Sequence, residues 1–579
     1  MWTETLRRHL AFASFRALAS AVLGVAGLVL LLAVAPAGNG TGPAKEYQAL
    51  PHAKDVNGPA AHDDKTAQKP EEHKDKASHT LAAQATATKL EEAPTGFTNT
   101  SNGFEDQDAF DKDRKTFEEI EEPRDGLGPV YNATSCVSCH QNPVSGSSSQ
   151  VSELRAGHIK KDPKDPKKQI FVEPPGGSLI HQRAIDAAAQ EHVRPEDETR
   201  TLRMSNTILG AGFVEVIPDE DILKVRNKQP AGLKGLAIAV PVAVRGKKGD
   251  DGQFTFEFVE RIGRFGWKCQ EASLLNFSAG AYLNEMGITS PLQPRENKSN
   301  GRDVSQFDLK PDPEDNVDPE NPANKEHPDQ PFGDDVKAFT RFMRSLRAPP
   351  RDFSLAQTKL VQDGERIFND EGTPAKHKLG CAICHHPCFV TPPPGTPIKP
   401  LGPSSELPGS DLGTVPFALG NKIIRPYSDF MLHDVGTKDG IVQTQHAQFP
   451  PRGVENLRRI PPGLLMKEDK EEEGGVLRIQ RERVPKAKGT EKKAPPDKEA
   501  CEPTEEEIHL DQRTMNKVRT APLWGLRVRP QLLHDGSALT IEEAIRRHIV
   551  NAGAVVLPGN FDMLPADQKE KLLAFLKSL

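Results

Sequence analysis

Two pentapeptides in this 579-residue chain set a pair of thiols and an imidazole at the same fixed spacing: Cys136-Val-Ser-Cys139-His140 and Cys381-Ala-Ile-Cys384-His385. Cysteines three positions apart can add to the two vinyl groups of a porphyrin while the next residue, histidine, turns its ring under the macrocycle to ligate iron. With 7 Cys and 18 His in the chain, chance placement gives roughly 0.003 such pentapeptides, so two copies point to two covalently attached haem c groups. A thioredoxin-type redox pair would sit in a βαβ pattern, which surrounds neither copy, and a zinc site would separate its pairs by about 15 to 20 residues, not about 240.

The second axial position decides what each iron does: two ligands suit electron transfer, one ligand and a vacancy suit chemistry. The residue pattern alone offers too many candidates. His158, His181 and His192 follow the first motif, and any one could cap that iron; Met431 and His433 read as pocket wall beside the second. Cys388 reads as a free or oxidised surface thiol, and Cys269 and Cys501 as structural or incidental.

The elements that must position these motifs are diluted by polar sequence. Only 36% of residues are apolar and 6% aromatic, against 50 Pro and 27% charged, which implies long solvated inserts around a smaller folded part. A net charge of -7 provides no basic field for nucleic acid. Arg7 and Arg8 precede an uncharged stretch, Ala17 to Ala37, ending in an A-x-A-like pair of small residues, so residues 1–37 read as a signal peptide or a membrane anchor. The rest of the chain is then exported, periplasmic or tethered to the membrane.

Residues 38–98 read as a disordered linker and 99–347 as an N-terminal haem domain closed by a helix with Val336, Phe339, Phe342, Met343 and Leu346 on one face. Ala348-Pro349-Pro350 marks the boundary to a C-terminal haem domain, 348–579, which begins with a helix through Leu360, Gly364, Ile367 and Phe368 and ends with another from Pro565 to Leu579. The stretch 298–333 reads as a surface loop, and 392–419 and 467–507 as polar inserts. Helical periods dominate these segments, so the expected fold is mainly α, with two cytochrome-c-like haem domains in tandem.

The chain resembles the di-haem oxidoreductase family of proposed peroxidases, related to bacterial dihaem cytochrome c peroxidases and to the dihaem enzymes of methylamine utilisation. The resemblance rests on GLGPVYNATSCVSCHQNPVSGSSSQ (126–150), GRFGWK (263–268), NEMGIT (284–289), PYSDFMLHDVG (426–436) and RTAPLWGLRVRPQLLHDGSALTIEEAIRRH (519–548). It implies that Glu285 of the E-M-G motif serves as acid and base at the first haem, and that Trp267 lies between the haems. It also implies that the sixth ligand of the second haem falls on His548, where the peroxidases proper carry Met. Bis-imidazole ligation should lower the potential of that haem relative to His/Met. Related peroxidases also hold calcium between domains, although no D-x-D-x-D-G loop is present here.

The expected activity is reduction of hydrogen peroxide at the first haem, with electrons delivered by a small redox protein through the second. Two alternatives stand beside it: oxidation of an organic or protein substrate by high-valent iron, and electron transfer without chemistry.

Overall fold

Residues 90–163, 165–248, 254–317, 332–401, 407–445 and 509–579 are described by a computed structural model, and all belong to one compact unit, Gln84–Leu579. The proposed signal or anchor, most of the 38–98 linker, Cys501 and the 467–507 insert lie outside the described residues. Among the described residues no helix is long and apolar enough to cross a membrane.

Around the first motif, Phe110 and Phe117 are buried along one side of the helix Gln107–Glu118, whose N-terminus is capped by the Asp106 carboxylate. They pack on the helix Asp334–Ser345, with the Phe117 and Phe342 rings 4.7 Å apart, and Tyr282 of the helix Leu274–Met286 completes the aromatic cluster against Phe339. Cys136 borders this core. The expected apolar stripe of the 334–345 helix is therefore the stripe that faces the first motif, and the helix ends before the prolines as the sequence requires.

The second motif is a single helical turn, Cys381–Cys384, held by a core of Val361, Phe368, Tyr427, Leu572, Phe575 and Leu576. Here the helices Lys359–Phe368 and Ala566–Lys577 cross at Gly364, where a Cβ would lie 2.0 Å from the Lys571 carbonyl oxygen. Leu360, expected on the apolar face, is exposed; Val361 takes the buried position.

The chain is not mainly α. It is mixed, 29% helix and 19% strand, with several small sheets. The strand Ser152–Lys161 pairs with Gln169–Val172, Leu179–Ile180 and Thr199–Met204. A long antiparallel hairpin joins Ala239–Lys248 to Phe254–Ile262, placing Val242 opposite Val259. Val240, Val242 and Val244 are buried, and so are Ala239 and Ala243, as in a β-branched strand covered on both faces rather than an amphipathic helix.

Segments expected to be solvated also enter the fold. Glu91 and Glu92, at the end of the expected linker, pair in parallel with Lys422 and Ile423. Ile398, Val415 and Leu419 of the 392–419 insert are buried with Phe213, Phe389 and Trp524, and Asp411 pairs with buried Arg344. Within 298–333, Val304, Glu314 and Asp315 are buried. The proline pair separates the core of the first motif from that of the second, but among the described residues three further clusters straddle it, and they make the seam on which Trp267 sits.

Candidate active site

The three histidines singled out as ligands share one local arrangement. His140 Nδ1 lies 3.1 Å from the Ser147 carbonyl, His385 Nδ1 2.9 Å from that of Tyr427, and His548 Nδ1 2.7 Å from that of Ala544. A backbone carbonyl on Nδ1 fixes the ring and leaves Nε2 for a metal, the usual outer-shell support of a ligating imidazole. Burial holds all three below the ordinary histidine range, His385 at about 4 with His548 adding to the effect. They are therefore neutral near pH 7, the form that ligates.

His548 caps the C-terminus of the helix Ile541–Arg547, and its ring stands 6.5 Å from that of His385. Metal–imidazole bonds of about 2.0–2.1 Å, with about 1.1 Å from nitrogen to ring centre, put the two centroids roughly 6.3 Å apart across one metal ion. The donor set at the second motif thus fits a bis-imidazole iron. At the first motif the ring packed on His140, among the described residues, is that of Phe117 at 6.4 Å. His181 has both ring nitrogens engaged, by Glu191 and the Asn284 carbonyl; His158 meets Asp197; His192 is exposed.

The rival readings of the cysteine pairs lose ground on the same geometry. Burial pushes the Cys139 and Cys381 thiols up to about 12, whereas a reactive redox pair needs a depressed thiol. The two pairs border separate cores and cannot share one zinc.

Glu285 ends the helix Leu274–Met286, whose chain turns at Gly287 in the left-handed region. A Cβ at Gly287 would lie 2.7 Å from the carbonyl oxygens of Gly128 and Val130, so only glycine lets this corner close on the segment that leads into the first motif. The Glu285 carbonyl accepts from the backbone of Asn132 and Ala133, and the Asn132 amide donates to Oε2 at 3.1 Å. Its carboxyl is half-buried, raises the thiol of Cys139 through its charge, and is hydrogen-bonded to Glu153, which carries the ion pair with Arg155 at 2.9 Å. Burial, and then the charge of Glu153, push Glu285 up to about 8. Burial also opposes ionisation of Glu153, but Arg155 overcomes it and holds Glu153 below the usual range. Sequence reading missed Asn132, Glu153 and Arg155; the signal was the spacing of two in the strand Ser152–Lys161, which sets Glu153 and Arg155 on one face.

Trp267 lies half-buried in the seam. Its indole N–H donates to the Met204 carbonyl at 2.7 Å, its own carbonyl accepts from Arg519, and its ring meets His534 edge-on at 6.1 Å. Beneath it Arg203, Lys268 and His534 converge on Asp439, a buried charge group the sequence did not suggest. His433 is buried, with Nε2 2.7 Å from Asp429 and Nδ1 3.5 Å from the Cys384 sulfur, and Met431 is buried in the straddling core. Cys269 is buried with its thiol on the Phe430 carbonyl, and Cys388 is half-buried.

Away from these motifs, Glu296, Asp308, Asp312 and Glu314 each bring a carboxylate oxygen within 4.8 Å of the others. Glu314 is 3% exposed, and the carboxyl of Glu296 faces that of Glu314.

Residues 181–461 match the family described as "Di-haem oxidoreductase, putative peroxidase". Among solved structures the chain is similar to hydrazine synthase of Kuenenia stuttgartiensis, at 15% identity over 88% of this chain and 100% of that one, with a TM-score of 0.30. It is also similar to a MauG-like protein associated with microbial copper homeostasis, at 14% identity over 65% of this chain and 89% of that one, with a TM-score of 0.23. No curated protein matches. The matched segment carries Trp267, Glu285 and the Cys381–His385 motif, and to that extent the chain is similar to the di-haem oxidoreductase family.

Proposed function

We propose that this dihaem oxidoreductase reduces hydrogen peroxide at its first site with electrons that enter at its second. Cys136, Cys139 and His140 would hold one haem, and Cys381, Cys384 and His385 the other, with His548 closing the second site. When bound, haem supplies the iron that exchanges electrons and binds a substrate oxygen.

The difference between the two sites carries this reading: His385 has a second imidazole opposite it, whereas the first motif has the carboxyl of Glu285 beside Cys139. Peroxide needs two electrons and two protons to become two waters. Glu285 holds a proton near neutral pH, Asn132 orients its Oε2, and Arg155 keeps the partner Glu153 ionised, so the pair has one defined proton to move. Glu285 gives its proton to the departing peroxide oxygen and regains one from the other peroxide oxygen, while the two protons of the balance are drawn from solvent. Trp267, bonded to chain segments on both sides of the seam, is assigned to electron passage between the sites.

The donor is a small redox protein that docks transiently. The N-terminal apolar stretch supports export, with tethering to the membrane if that stretch is retained. Calcium is assigned to Glu296, Asp308, Asp312 and Glu314, hard oxygen donors that suit it.

The test is Glu285→Gln in protein matured with both haems. Peroxide turnover should fall about 10²- to 10⁴-fold with haem content unchanged; retained turnover overturns the role. A first haem that is entirely low-spin and six-coordinate in the paramagnetic resonance spectrum would instead favour electron transfer without chemistry.

A further inference from the structure

Most of the buried arginines in this chain sit on a carboxylate: Arg203 on Asp439, Arg261 and Arg264 on Asp219, Arg344 on Glu215 and Asp411. Arg519 and Arg529 do not. Arg519 is 5% exposed, and among the described residues its guanidinium donates only to neutral acceptors, the Gly266 carbonyl at 2.8 Å and Asn206 Oδ1 at 3.2 Å. Arg529, half-buried, donates to the Trp524 carbonyl at 3.3 Å. Each is held low by burial, and the charge of Arg519 depresses Arg529 further, to about 10. Two guanidiniums taken out of water near one another without an anion are costly, and that cost is removed by an anion the protein binds.

Their surroundings say which one. Arg529 lines a cleft with Asn142, Ser147 and Thr207, and Ser147 is the residue whose carbonyl anchors His140. Arg519 reaches Asn206, whose backbone also bonds the His140 ring. Both arginines therefore come from the C-terminal segment to the flank of the first motif, next to the Gly266–Trp267 turn. The anion expected there is a carboxylate fixed to a large apolar body, which is what the propionates of a porphyrin are, and a guanidinium is the side chain whose fork best matches a carboxylate.

We infer that Arg519 and Arg529 receive the propionates of the haem carried at Cys136 and Cys139, so that the C-terminal segment completes the first haem site. The inference rests on haem being attached at that motif. It makes the arginines positioning residues: they set the charge beside the first haem and touch no substrate.

The experiment is spectroelectrochemical titration of the full chain, matured with both haems, as Arg519→Gln, Arg529→Gln and the conservative Arg519→Lys and Arg529→Lys. The first haem's signal is identified as the one that disappears in Cys136→Ser/Cys139→Ser. Removing a cation favours the ferric form, so at the wild-type midpoint the reduced-to-oxidised ratio of the first haem should fall about threefold to tenfold per Gln substitution, tenfold being 59 mV for one electron. The second haem should move less than about twofold, and Lys should restore most of the ratio. If Arg519→Gln does not fold, the half-exposed Arg529 pair decides the matter. Unchanged first-haem potentials, or a shift confined to the second haem, overturn the inference. If Cys136→Ser/Cys139→Ser still carries two haems, attachment at that motif is what fails.

Discussion

Glu153 and Glu285 share one hydrogen bond but carry different charges at neutral pH, because Arg155 pairs with one and burial dominates the other. The folded chain retains the Glu285 proton up to about 8, against an ordinary value of 4.5. Between those values the folded state binds a proton the unfolded state has released, so stability falls as pH rises through the window. Urea denaturation from about pH 5 to about pH 9 should show this decline in the wild type and a flatter profile in Glu285→Gln. Turnover that depends on the protonated acid should fall above about pH 8 for the same reason. At the second site His548→Met exchanges imidazole for thioether. That change should raise the midpoint of the second haem without loss of haem, and a midpoint that does not move would exclude His548 as a ligand.

Among the elements, the crossing of the helices Lys359–Phe368 and Ala566–Lys577 has no room for one added methyl group. Alanine in place of a helical glycine normally adds about 1 kcal/mol of stability. At Gly364 the new Cβ would press on the Lys571 carbonyl and on the Phe575 side chain, and overpacking of this kind costs about 1–3 kcal/mol. Gly364→Ala should therefore lower the unfolding midpoint, whereas Gly280→Ala, in a helix where the nearest atom is 3.8 Å from the new Cβ, should hold or raise it. The loop that carries Glu296 and Glu314 makes a different demand. Burial, and then the charges of Glu314, Asp312 and Asp308, push Glu296 up to about 11, and a divalent cation would relieve that repulsion. Calcium at a hundred times its Kd should stabilise the protein by about 2.7 kcal/mol. Calorimetry with and without chelator measures it, and Glu314→Gln should abolish the difference.

For the whole molecule the consequence lies in the seam. Phe213, Ile217, Ile222 and Ile262 are buried together with Phe389, Ile398, Phe430 and Trp524, so each side of the proline pair, besides a core of its own, contributes half of a shared one. Residues 99–347 produced alone should expose this surface, bind a hydrophobic dye and aggregate, and co-expression with 348–579 should suppress both. A soluble, cooperatively unfolding 99–347 fragment would show that the straddling clusters are dispensable. The seam also explains how Trp267, Arg519 and Arg529 come together from segments that are remote in the chain.

Local patterns were legible in the sequence. The Cys-x-x-Cys-His pentapeptides, the apolar stripe of residues 336–346 and the closing helix each depend on residues within a few turns of one another, where spacing dictates geometry. The strands were not read, since residues 239–244 are buried on both faces and a short apolar run without alternation cannot be told from a buried helix by period alone. The 392–419 insert also misled, because apolar residues scattered among prolines and glycines look solvated until a partner surface exists to bury them. Tertiary structure alone decided which charges lie together: Glu153 on Glu285, three basic side chains on Asp439, and two arginines left without a carboxylate. Desolvation and Coulomb energies depend on distance in space, and residues hundreds of positions apart carry no local trace of it.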